Sequence, residues 1–176
     1  MLLKRLFLWY FIPLETFSAE TGSGTAREIV LCQGEAAKRS HQNLFSLDDS
    51  CYCLSGESIV ASILSINLEN ISKLHISTGW EAMLEMALWT TARPLVHDVI
   101  VLLKRAGIGD DEIGPFKKSE VNDIFPWLYY GKRFDVLRRI CNTAKTRIDL
   151  KLERKKLLVY CHLSMDEMGR IVASNL

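Results

Sequence analysis

The order of apolar and polar positions along this chain predicts both strands and helices. Apolar and polar residues alternate at 64–68 and again at 74–76, so these segments are expected to be half-buried strands of one hairpin. Residues 148–152 show the same period of two, and together with the mainly apolar segment 157–163 they predict a second hairpin that turns at 153–156. Residues 28–32 form a short apolar run that is a further candidate strand.

Other segments repeat their apolar residues with a helical period. The sequence from Thr78 to Glu81 has capping-box spacing and precedes a clear amphipathic pattern at 80–88. Residues 94–107 are apolar on nearly every side, so they predict a buried helix that begins at a proline and ends at a glycine. A third helix is predicted at 134–148. Shorter helices are expected after Ser119, interrupted by Pro126, and after Ser164.

These elements predict a single α+β domain over residues 27–176. Two to three β-hairpin or strand pieces are expected, with four to five helices packed on them. Residues 20–26 (Glu-Thr-Gly-Ser-Gly-Thr-Ala) have the composition of a linker. The whole chain has 176 residues, which is enough for one substantial core.

The first 19 residues form an apolar segment with a basic start. Lys4 and Arg5 precede an apolar run that is too short to cross a membrane, because a spanning helix needs roughly 20 residues. Two interpretations stay open: a secretory signal cleaved after Ser18, or a segment that packs on the domain or lies in a membrane interface. In the second case the membrane-interacting side chains are Leu6, Phe7, Trp9 and Phe11.

Charge is distributed unevenly along the chain. Residues 132–156 hold ten basic and three acidic side chains, a net +7, so the remaining residues sum to −6 within a total of +1. Such a segment predicts contact with an anionic membrane surface or a nucleic acid. An ordinary solvated face paired with acids elsewhere is the alternative. The candidate ligand-binding residues are Arg138, Arg139, Lys145, Arg147, Lys151, Arg154, Lys155 and Lys156.

The sequence carries no complete catalytic or metal-binding motif. Cys51-Tyr52-Cys53, with His41 ten residues earlier, is one closely spaced pair where structural zinc sites usually have two. Adjacent residues in a strand point to opposite faces, so Cys161 and His162 cannot act together as nucleophile and base. The sequence therefore predicts no metal and no cofactor and favours a non-enzymatic protein, while an enzyme whose catalytic residues are distant in sequence stays open as an alternative. Cys141 and Cys161 are expected to be small buried side chains.

In outline, the order of elements resembles the globular domain of rhabdovirus matrix proteins. The residues that carry the resemblance are 63–107 and 147–163, which combine alternating strands with a capped helix and a second apolar helix. The long lysine-rich arm expected of that family is replaced here by the apolar segment 6–14. The resemblance implies a non-enzymatic viral structural protein that joins a nucleocapsid to an anionic membrane.

The sequence thus predicts a matrix-like binding and assembly protein that is intracellular and membrane-associated, or part of a virion. Its partner would be an anionic membrane or nucleic acid bound by Lys132–Lys156, with self-association as a further expectation. The alternative is a secreted interaction protein with a cleaved signal and a protein partner, for which Asn70 begins a glycosylation sequon.

Overall fold

A computed structural model describes residues 27–154, 156–165 and 168–176. These residues form one five-stranded sheet with helices on both faces, so the predicted α+β class, as a single domain, is confirmed. The described part contains seven α-helices, more than the four to five expected. The strands are β1 (Arg27–Cys32), β2 (Tyr52–Leu54), β3 (Ile71–Thr78), β4 (Leu158–Met165) and β5 (Arg170–Ser174). The helices are α1 (Gly34–Gln42), α2 (Ile59–Ser65), α3 (Trp80–Leu88), α4 (Val96–Arg105), α5 (Asp110–Ile113), α6 (Val121–Tyr130) and α7 (Phe134–Leu152).

The strand order in the sheet is β2-β1-β3-β4-β5. The first four strands in this order run parallel, and β5 is antiparallel to β4. Parallel neighbours need long crossover connections, and helices supply all of them here. Because both faces are covered by helices, each of the strands β1, β3 and β4 contains a run of at least four consecutive buried residues.

One face of the sheet carries the main hydrophobic core. Alternate residues of β3 and β4, such as Leu74, Ile76 and Cys161, point to this face and belong to one core cluster with buried residues of α3 and α7. Helix α7 contributes a buried stripe at helical spacing, including Leu137 and Cys141. The buried positions of Cys141 and Cys161 confirm the prediction that both thiols are small core residues.

The opposite face is covered by α1 and has a different character. Its apolar cluster is small, comprising Val30, Cys32, Ala37 and Tyr52. Polar side chains of β3 and β4 are buried on this face instead, among them His75 and His162. A buried polar face requires internal hydrogen-bond partners, because water cannot reach it.

The predicted hairpin around residues 69–73 is wrong. Of the two segments predicted to pair, the first begins in α2, which contains residues 64 and 65. The second, 74–76, lies in β3, which pairs in parallel with β1 and β4. Leu64 is 59% exposed on the outer side of α2. An exposed leucine next to buried Ile63 broke the helical period and produced a false alternation of apolar and polar positions.

The second predicted hairpin is also wrong. Residues 148–152 continue α7, and Leu150 is a 63% exposed side chain on that helix. The strand predicted at 157–163 is present as β4, but it pairs in parallel with β3 and not in antiparallel with residues 148–152. The helix predicted after Ser164 falls partly on residues 166–167, which lie outside the described residues. From Arg170 to Ser174 the chain forms β5, which returns antiparallel along β4.

The predicted helices at 80–88 and 134–148 are confirmed as α3 and α7. The capping box at Thr78 is not formed, because Thr78 ends β3 and the N-cap residue of α3 is Gly79. Helix α4 is buried only at Val99, Leu102 and Leu103, so it is not the all-round buried helix expected. Helix α6 continues through Pro126.

Within the described residues no helix is long and apolar enough to cross a membrane. The predicted N-terminal segment with Leu6, Phe7, Trp9 and Phe11, and the linker at 20–26, lie outside the described residues.

Candidate metal centre

Three buried histidines converge beneath α1. His41 lies near the end of α1, His75 lies on β3, and His162 lies on β4. Their exposed fractions are 0%, 3% and 0%. One ring nitrogen from each lies within 4.8 Å of the other two. Among the described residues this is the group of side chains best arranged to hold a metal ion.

The ring nitrogens that face one another are Nε2 of His41, Nδ1 of His75 and Nε2 of His162. His75 Nδ1 lies 3.1 Å from His41 Nε2 and 2.9 Å from His162 Nε2. A tetrahedral zinc ion with Zn–N bonds of about 2.0–2.1 Å holds its nitrogens roughly 3.3 Å apart. To accommodate the ion, these two separations would have to lengthen by a few tenths of an ångström, and the third pair of nitrogens lies within 4.8 Å.

The outward-facing nitrogen of each ring meets an oxygen from another strand. His41 Nδ1 lies 3.0 Å from the Tyr52 hydroxyl on β2. His75 Nε2 lies 2.7 Å from the Glu28 carboxylate on β1, and His162 Nδ1 lies 3.1 Å from Ser174 Oγ on β5. All five strands and α1 thus contribute one side chain each. Such outer partners fix the orientation and tautomer of metal-binding histidines.

These partners also determine where the ring protons lie. The Glu28 carboxylate can only accept, so His75 carries its proton on Nε2 and presents a lone pair at Nδ1. The Tyr52 hydroxyl donates to the Phe45 carbonyl at 3.4 Å, which leaves its oxygen to accept the His41 Nδ1 proton. The lone pairs of His41 and His75 then face each other, and a cation between them removes their repulsion.

Burial keeps the three imidazoles neutral. Loss of solvation, together with the nearby His75, lowers the pKa of His41 to about 4. Loss of solvation and the two other histidines lower the pKa of His162 to about 3. Burial also lowers the pKa of His75, although the Glu28 carboxylate opposes this shift. Neutral imidazole is the form that binds metals, so at pH 7 no proton has to leave before an ion binds.

The sequence pattern grouped His41 with Cys51 and Cys53, which are not its partners in the structure. Cys53 donates to the Val30 carbonyl at 3.4 Å and is not among the residues grouped around His41. The true neighbours of His41 lie 34 and 121 positions further along the chain, a spacing that matches no local metal motif. The only available signal was a histidine in each of two apolar strand segments.

The thiols are not arranged for nucleophilic chemistry. All five cysteines are free. Burial raises the pKa of Cys32 and Cys141 to about 12, so neither is a thiolate near neutral pH. Cys161 faces the main core whereas His162 faces α1, which confirms that these neighbours point to opposite faces.

The basic residues predicted to bind an anionic partner lie mostly along α7 and are divided in their roles. Arg139 donates to the Ala106 carbonyl at 2.9 Å, Arg154 donates to the Leu68 carbonyl at 2.9 Å, and Lys145 pairs with Asp149.

The other basic residues of this set do not share one face of α7. At 100° per residue, Arg138 lies on the opposite side of α7 from Arg147 and Lys151. Exposed side chains in this set are Arg138, Arg139, Arg147, Lys151, Arg154 and Lys156, while Lys155 lies outside the described residues. Contact with an anionic membrane or nucleic acid stays a prediction.

The aromatic residues Trp127, Tyr129 and Tyr130 only partly enter the core. Trp127 and Tyr129 are half-buried, and Tyr130 is 72% exposed.

Comparison with known proteins adds no assignment. No protein-family model matches the sequence, and neither a curated protein nor a solved structure matches the chain. The resemblance to rhabdovirus matrix proteins therefore stays a prediction, and function has to be argued from the histidine cluster itself.

Proposed function

We propose that this protein binds one divalent transition-metal ion of the zinc class through His41, His75 and His162. The ion would fasten α1 to the centre of the sheet, because one ligand lies on the helix and two lie on adjacent strands. Three protein ligands leave one coordination position for a water molecule or another small ligand.

The observation that carries this proposal is the set of oxygen atoms around the rings. Each imidazole has one nitrogen at the shared centre and the other within 3.1 Å of an oxygen of Tyr52, Glu28 or Ser174. With an ion at the centre, every remaining ring proton has an acceptor. A hydrogen-bonded core needs pairs of donors and acceptors but does not need three nitrogens directed at one point.

The donor set also selects the class of metal. Imidazole nitrogens suit zinc, copper, nickel and iron, whereas calcium and magnesium prefer oxygen ligands. The Glu28 carboxylate accepts from His75 Nε2, which is the ring nitrogen directed away from the shared centre. We therefore expect zinc or cobalt to bind and magnesium or calcium not to bind.

A metal titration of the full chain tests the proposal. The wild-type protein should bind one Zn²⁺ or Co²⁺ per chain, and His162→Gln should weaken binding by at least about 100-fold, since it removes one of three ligands. The matched control is His97→Gln. It removes the fourth histidine of the chain, which is exposed on α4 and pairs with Asp98, and it should leave the affinity unchanged. Equal affinity in the His162 and His97 variants would overturn the proposal.

A second prediction concerns Glu28. Glu28→Gln keeps the size of the side chain but replaces the carboxylate that accepts from His75 Nε2. Losing this partner should weaken Zn²⁺ binding by about 10–100-fold, with one ion per chain still bound at saturation. Competition with a chromophoric chelator measures the change. The control Glu57→Gln alters an exposed carboxylate that precedes α2 and should have no effect.

A further inference from the structure

Phe45 completes a tetrahedron of rings around the proposed ion. The centroids of His41, His75 and His162 are all 5.1 Å apart. The Phe45 centroid lies 4.4 Å from that of His41, 5.3 Å from that of His75 and 5.2 Å from that of His162. The four rings therefore occupy the corners of a nearly regular tetrahedron, with three ligands and one ring that cannot ligate.

The size of this tetrahedron fits an ion at its centre. The centre lies roughly 3 Å from each centroid, which is about the separation that a Zn–N bond of 2.0–2.1 Å gives between the ion and an imidazole centroid. The Phe45 ring thus fills the direction in which a fourth ligand would bind. A ligand at this position therefore requires the ring to move, and a larger ligand requires a larger displacement.

Phe45 also lies between the histidines and the solvent. The three histidines are buried, whereas Phe45 is half-buried and its neighbours Leu44 and Ser46 are exposed. Its backbone is held in place: the Phe45 N–H donates to the His41 carbonyl at 2.8 Å, and its carbonyl accepts from Tyr52. Because the backbone is fixed, only a rotation of the phenyl side chain can move the ring away from the histidines.

We propose that Phe45 is the specificity-determining residue of the fourth coordination position. It admits water and small inorganic anions and excludes ligands as large as an imidazole ring. This inference rests on the proposed metal site. A rotation of the Phe45 side chain opens a narrow space over the ion, whereas removal of the ring opens a space of about its own volume.

The test uses the full chain loaded with Co²⁺, whose visible absorption reports ligand exchange at the ion. Azide and imidazole are titrated into wild-type, Phe45→Ala and Phe116→Ala protein. Phe116 is a half-buried phenylalanine that packs on Trp127, so its variant controls for the loss of an aromatic ring elsewhere. Phe45→Ala should bind imidazole at least about 10-fold more tightly relative to azide than wild-type does, with Phe116→Ala unchanged.

The outcomes separate the two proposals. If all three proteins bind Co²⁺ but show the same preference between azide and imidazole, the role of Phe45 is overturned and the metal site stands. If wild-type protein binds no Co²⁺, the metal site and the role of Phe45 both fall. A Phe45→Leu variant, which restores most of the apolar bulk, should return the preference toward that of wild-type.

Discussion

Lowering the pH from 7 to 4.5 will destabilise the metal-free protein by several kcal/mol. Burial and the mutual proximity of the rings lower the pKa of His41 to about 4 and that of His162 to about 3. An unfolded histidine has a pKa of about 6.5, so the unfolded chain takes up protons that the folded one refuses. Each of these two histidines should lower the free energy of unfolding by on the order of 2–3 kcal/mol at pH 4.5, at about 1.4 kcal/mol per pKa unit.

These lowered pKa values mean that stability is lost as the pH falls, beginning at about pH 6.5. A histidine whose folded pKa is depressed leaves stability intact above about pH 6.5, and this stability is lost as the pH falls toward the folded pKa. Carboxylates contribute at lower pH, because Lys38 lowers the pKa of Asp49 and Lys104 lowers the pKa of Asp110 from the ordinary value of 3.8. The interval between pH 6.5 and 4.5 therefore reports mainly on the histidines.

Urea unfolding at pH 7.0, 6.0, 5.0 and 4.5 in the presence of a chelator measures the effect. The free energy of unfolding should fall at each step, and a domain with a stability of about 5–15 kcal/mol should be close to unfolding at the lowest pH. His97→Gln should show the same slope, because that side chain is exposed. A flat free energy between pH 7.0 and 5.0 would mean that the buried histidines do not titrate as described.

Truncating Leu137 to alanine will cost about 2–5 kcal/mol of unfolding free energy. Leu137 is 0% exposed and lies on the buried stripe of α7, the helix that packs on both α3 and β4. Its removal loses the transfer energy of the buried side chain and leaves a cavity. Tight packing around the site limits how far the neighbours can close this cavity.

Leu150→Ala is the matched control for this substitution. It makes the same chemical change on the same helix, but Leu150 is 63% exposed. Urea unfolding at pH 7 should show a change within about 0.5 kcal/mol for this variant. Equal losses in the two variants would contradict the assignment of 148–152 to α7, since a strand at those positions would bury Leu150 as part of a sheet.

The sequence determined those elements whose buried residues repeat without interruption. Helices α3 and α7 follow from their apolar stripes, and β1 and β4 follow from short runs of apolar residues. The errors arose at Leu64 and Leu150, two exposed leucines at the ends of helices. An exposed leucine has the same hydrophobicity as a buried one, so periodicity alone could not show which side each residue occupies.

Tertiary structure decided the pairing of the strands and, with it, the histidine site. His41, His75 and His162 are separated by 34 and 87 positions, and no local pattern connects them. They meet because β3 lies beside β4 and because α1 crosses the face of the sheet on which His75 and His162 are buried. The outer partners Glu28, Tyr52 and Ser174 come from the three remaining strands. Strand order is set by long-range packing, so the sequence supplied the ligands while the sheet topology made them a site.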